Sequence, residues 1–141
     1  MKRFEWVEHP SDIGFRAFGR DLAEAFESAA LALFEVMVDT GAVEPREMIE
    51  VELEAEDGKA LLYDWLDKLI YFRDSDNKVF SKFDVKITKA KKGLRLSATA
   101  RGETFNPSKH TERTAVKAMT YHMMEIDERL GNCYVQAVVD I

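Results

Sequence analysis

Two aspartates and the last residue of the chain are the groups whose types admit chemistry. Asp12 follows the turn-forming run His9-Pro10-Ser11, so backbone rather than a long flexible side chain would hold its carboxylate. Two readings are open for it: a metal ligand, or the acceptor of an Asx turn closed on its own backbone. Asp140 stands next to Ile141, whose α-carboxylate, with an ordinary pKa of about 3.5, is ionised at neutral pH. If the final strand stays paired to its end, two anionic oxygen groups are fixed side by side there. A third from Asp12 would complete an all-oxygen set suited to a hard cation such as Ca²⁺ or Mg²⁺. The other reading is a terminus that frays. Period-two alternation places Asp140 and Val139 on opposite faces, and nothing in the sequence brings Asp12 near either.

The remaining candidates are weaker. His9, His110 and His122 match no zinc spacing, and Cys133 is the sole cysteine, so neither a zinc centre nor a cysteine–histidine nucleophile is expected. Lys109, His110 and Arg113 form a basic knot after Asn106-Pro107 that would suit a phosphate or an acidic patch, or is simply a solvated loop. Glu50, Glu52, Glu54 and Glu56 form an acidic ladder, read as the solvent face of a strand or a surface for a basic partner. No glycine-rich phosphate loop, Ser-His-Asp order or nucleotide motif occurs, and without an activated nucleophile the chain is not expected to be an enzyme.

These residues need elements to hold them. Phe4 to Glu8 reads as an opening strand, and the alternation of Ile13, Phe15 and Ala17 as a second. Asp21 followed by Glu24 has the form of a helix cap. The helix it opens carries Leu22, Phe26, Ala30, Leu33 and Met37 along one stripe and stops near Thr40-Gly41. Ile49, Val51, Leu53 and Ala55 alternate with the glutamates as a half-buried strand. After Asp57-Gly58 a second helix buries Leu62, Trp65, Leu66, Leu69 and Phe72, ending in Asp74-Ser75-Asp76-Asn77. Phe83, Val85 and Ile87, a turn at Lys89–Gly93, and Leu94 to Ala100 form a hairpin. Residues 114–126 fit helix or strand; the β-branched and aromatic Thr114, Val116, Thr120 and Tyr121 favour strand. After the turn Leu130-Gly131-Asn132, Val135, Ala137, Val139 and Ile141 close the chain as a strand. The expectation is one α+β domain over residues 1–141, a largely antiparallel sheet with two helices packed on it.

Composition bounds the function. A chain of 141 residues with 46% hydrophobic and 11% aromatic content is long enough to bury roughly two-thirds of its unfolded surface without a disulfide or metal staple. No apolar run reaches the roughly 20 residues of a membrane span, and Met1 to Pro10 has no apolar signal core. A cytoplasmic protein with no membrane association is expected. With 26 acidic against 20 basic side chains the net charge is −6. That charge disfavours autonomous binding to phosphate backbones and suits a basic partner or a bound cation.

Three blocks carry a resemblance. Glu8-His9-Pro10-Ser11-Asp12-Ile13-Gly14 followed by an Asp-Leu-Ala-Glu-Ala-Phe helix resembles the opening of the archease family. Val116-Lys117-Ala118-Met119-Thr120-Tyr121-His122 and the closing Val138-Val139-Asp140-Ile141 continue it along the whole chain, with Met119 standing where a β-branched residue is expected. The resemblance implies an accessory protein of the tRNA-splicing ligase RtcB. Such a protein promotes guanylylation of the ligase, supports multiple turnovers and broadens nucleotide use, and reaches tRNA only through the ligase. It also implies a divalent metal site on Asp12, Asp140 and the terminal carboxylate of Ile141, with Ca²⁺ foremost and Mg²⁺ or Mn²⁺ as alternatives. His9, Lys109 and His122 would stand around that site or touch the partner. An alternative role attached to the family is a chaperone-like modulator of an RNA-modifying enzyme such as a tRNA methyltransferase. The oligomeric state is left open.

Overall fold

A computed structural model of the chain describes residues 2–7 and 12–141. Strands β1 (Phe4–Val7) and β2 (Asp12–Gly19) lead into helix α1 (Leu22–Met37), and a single 3-10 turn at Thr40–Ala42 precedes β3 (Glu47–Ala55). Helix α2 (Gly58–Asp76) follows, then β4 (Lys78–Lys89), β5 (Leu94–Thr104), β6 (Ala118–Arg129) and β7 (Asn132–Asp140). The α+β class is as expected, with every strand pair antiparallel. The strands divide into two sheets, one of order β1-β2-β7-β6 and one of order β3-β5-β4.

Local chemistry sets the helix ends. The Asp21 side chain accepts from the Glu24 N–H at 2.8 Å, satisfying an orphan donor of the first turn, and Glu24 reaches back to the Arg20 N–H at 3.1 Å, tying the residue before the cap to the helix. Asp57 caps α2 the same way through the Ala60 N–H. Asn77 ends that helix in the left-handed conformation at φ 55, which asparagine tolerates better than most residues. Gly19 is required where β2 turns into α1, because a Cβ there would stand 2.3 Å from the Ala25 nitrogen.

Both helices touch both sheets. Helix α1 packs on β2 and β7 of the first sheet and on β4 of the second, while α2 lies against β6 and β3. Trp65, fully buried, donates its indole N–H to the Phe26 carbonyl at 3.1 Å and so joins the two helices within the core. Phe34, Phe80 and Phe83 pack edge-on and stacked beside it. Among the described residues no helix is long and apolar enough to cross a membrane.

Several boundaries differ from the sequence reading. Residues 114–117 are not strand. Instead the Thr114 N–H donates to the Val36 carbonyl and the Lys117 N–H to the Asp140 carbonyl, so this segment threads from α1 to the end of β7. The final strand ends at Asp140, one residue earlier than expected. Glu8 and the turn His9-Pro10-Ser11 lie outside the described residues.

Candidate functional site

The strand register places Asp12 directly across from Asp140, at the end of the β2–β7 pair. Directly opposed residues of an antiparallel pair project to the same face with Cβ atoms about 5 Å apart. Two carboxylates far apart in the chain therefore stand side by side, both half-exposed, with Ile141 continuing from Asp140. Asp140 is held from both sides, because β6 also pairs there through Ala118 and the Lys117 N–H bonds its carbonyl at 2.8 Å. This end of β7 is tied down by neighbours rather than frayed.

The donor set is hard oxygen on a partly hydrated surface, which fits a cation of the calcium or magnesium kind and not zinc. Among the described residues no three His, Cys, Asp or Glu side chains converge. The Asp12–Asp140 pair therefore needs further oxygen atoms, from the Ile141 carboxylate, the backbone or water, to enclose an ion. His9 lies outside the described residues.

The residues of the basic knot are paired with carboxylates. Lys109 pairs with Glu44 at 3.0 Å and with Glu103 at 2.8 Å, and Arg113 pairs with Glu35 at 2.7 Å. His110 is buried, its Nδ1 accepting from the Asn106 N–H and its Nε2 donating to Glu103 at 2.9 Å. The hydrogen bond from Lys109, acting against burial and helped by the Glu44 N–H and His110, holds the Glu103 carboxyl down at about 2. These groups neutralise one another and pin the loop before β6. His122 is on β6, beyond Thr120, and its N–H donates to the Thr120 hydroxyl.

Two features carry no sequence signal. Gln136 on β7 is buried, accepts from Arg16 at 2.9 Å, and donates to the Met123 carbonyl and to Glu125, each at 2.9 Å. It thereby anchors a bulge in β6, where residues 121–124 face a single residue of β7 and Met123 adopts φ 56. Just before that bulge anchor, Tyr121 stacks on Tyr63 of α2 with ring centroids 4.4 Å apart. Only the rarity of glutamine in the chain marked Gln136, and rarity says nothing about burial.

Fold and site define a class: a two-sheet α+β domain that presents an acidic pair at the end of adjoining strands. The chain belongs to the archease family, whose model, the Archease protein family, matches residues 4–141. It is 53% identical to the protein archease of Sulfurisphaera tokodaii and 48% identical to that of Methanothermobacter thermautotrophicus, in each case over all of both chains. The solution structure of Methanobacterium thermoautotrophicum protein 1598 is similar over all of both chains, with TM-score 0.87 and 45% identity. A crystal structure from Thermotoga maritima, described as an archease and possible chaperone, shares the fold at TM-score 0.61 and 18% identity. That match covers 96% of this chain and 94% of the other.

Proposed function

We propose that the chain is an activator of an RtcB-type tRNA-splicing RNA ligase, promoting ligase guanylylation, multiple turnover and wider nucleotide use. In this reading it carries no turnover of its own. Membership of the archease family supports it, and the observation that carries the site is the register pairing of Asp12 with Asp140. The two carboxylates, with the terminal carboxylate of Ile141, would hold a divalent cation, Ca²⁺ before Mg²⁺ or Mn²⁺. The ion would supply positive charge to phosphate oxygens. What the chain supplies is placement: the Asp12 and Asp140 backbones are locked in one ladder, so the carboxylates are oriented before any partner arrives. With net charge −6, contact with tRNA would run through the ligase rather than through this protein.

The test is a guanylylation assay of the cognate ligase with and without substoichiometric amounts of this protein. The expected result is a higher rate of ligase–guanylate formation and more turnovers, with no covalent nucleotide adduct on this protein alone. A ligase rate unchanged across the titration would overturn the reading. The Thermotoga relative's description as a possible chaperone favours a second reading, modulation of an RNA-modifying enzyme such as a tRNA methyltransferase. Suppressed aggregation of that enzyme, unaffected by chelation, would mark it.

A further inference from the structure

The exposed edge of β6 carries a surface that the acidic pair does not use. Tyr63 projects from α2 and Tyr121 from β6, and their rings stack at 4.4 Å with planes 12° apart. Tyr121 is 54% exposed, so the outer part of the stack meets solvent, and Met123 beside it is exposed as well. Met119 is buried on the helix-covered side of β6 and Tyr121 meets α2 through its stack, while Ala118, the Asp140 partner, falls on the other side. The tyrosine stack and the Asp12–Asp140 pair therefore occupy opposite sides of the sheet.

Several carboxylates surround the stack. Asp64 and Asp67 follow Tyr63 on the same helix at i,i+3 spacing and are exposed, where like charges repel. Burial first, and then the charge of Asp67, raise the Asp64 carboxyl above its ordinary value. Burial, with Asp64, Asp57 and Glu56, does the same to the Tyr121 hydroxyl. Lys68 is spaced to pair with Asp64 at i,i+4 but lies over the rings of Tyr71 and Phe72, at 5.0 and 5.3 Å. Among the described residues no cation stands over Tyr121 and none is ion-paired with Asp64 or Asp67. Elsewhere the chain fills such positions itself: Arg16 lies 4.4 Å over Tyr134 and Arg73 lies 4.6 Å over Phe105.

We infer that the Tyr63–Tyr121 stack, with Asp64 and Asp67 beside it, docks an arginine side chain carried by a basic segment of another protein. A guanidinium is planar and weakly hydrated, so it stacks on an exposed tyrosine ring while its fork of N–H donors meets a carboxylate. Lysine offers a point charge and no plane. A nucleic-acid base would also stack, but its phosphate would enter the field of at least three carboxylates. The inference stands apart from the ligase reading, since it needs neither the metal nor a particular partner.

The test uses the full chain with ¹³C-labelled tyrosine, followed by NMR at low salt. The probes are a blocked Gly-Arg-Gly-Arg-Gly peptide and its lysine and citrulline counterparts. The arginine peptide is expected to shift the Tyr63 and Tyr121 ring signals, to bind more tightly than the lysine peptide, and to bind about 3- to 30-fold more tightly than the citrulline peptide, the range a cation–ring contact supplies. Y121A should abolish the preference and Y121F retain it. D64N should weaken arginine binding without changing citrulline binding. Equal affinity for the arginine and citrulline peptides would overturn the proposal. So would arginine binding unchanged in Y121A, or an oligouridylate that binds the stack more tightly than the arginine peptide.

Discussion

Replacing Asp140 by asparagine separates what the acidic pair costs the protein alone from what it contributes when a cation is present. Asp12 and Asp140 are direct cross-strand partners whose Cβ atoms stand about 5 Å apart, so removing one charge relieves a repulsion between their carboxylates. Coulomb's law at that separation gives about 0.8 kcal/mol in a water-like dielectric and about 3 kcal/mol at an effective dielectric of 20. Both residues are half-exposed, which holds the gain near the lower figure. Urea is the right denaturant because it leaves charges unscreened, and with an m-value of about 2 kcal/mol/M the midpoint of D140N in chelator should rise by about 0.4 M. If the pair holds calcium as proposed, the ion should reverse the order. At 100 times its dissociation constant a ligand stabilises the folded state by about 2.7 kcal/mol, so the unsubstituted protein should gain about 1.3 M in midpoint at that m-value. D140N should gain far less, having lost one of few anionic oxygens. D12N should likewise lose most of the stabilisation by calcium. A D140N variant less stable than the unsubstituted protein in chelator, or equal calcium gains in both midpoints, would refute this account of the pair.

Three further outcomes follow from other contacts. Gln136→Leu keeps the volume but strands Arg16, Glu125 and the Met123 carbonyl, so it should cost about 2–4 kcal/mol. Hydrogen exchange should show the loss concentrated in residues 121–124 of β6 rather than in β7. Gly102→Ala places a Cβ 1.9 Å from the Val79 carbonyl oxygen and 2.7 Å from the Phe80 Cα. Both contacts are backbone, next to the register shift of β4 between Phe80 and Lys82, so urea denaturation should show a loss of about 3 kcal/mol. The Glu103 carboxyl, held at about 2 when folded, releases its proton more readily in the folded than in the unfolded chain. Its contribution is complete above the ordinary carboxylate range and declines as pH falls towards 2. E103Q should therefore flatten the acid limb of stability against pH, measured by urea midpoints.

The alternation of Ile49 to Ala55 with glutamates was enough to define β3, and Asp21 with Glu24 was enough to place the start of α1. Both are decided by neighbours a few residues apart: a half-buried strand must alternate, and a helix must satisfy its first N–H groups. The same locality made residues 114–117 misleading. Their β-branched types suit a strand, yet in the fold they bond to α1 and to the end of β7. Lys109, His110 and Arg113 read as free cations until tertiary structure supplied Glu44, Glu103 and Glu35 from other elements. The site is the extreme case. Asp12 and Asp140 could each be singled out by type, but their adjacency depends on the register between the second strand and the last. That register is set by which faces of β2 and β7 bury against α1, a choice made by Phe15, Ala17, Val135 and Ala137 in the core, because a slip of one residue would turn every one of them to the opposite face.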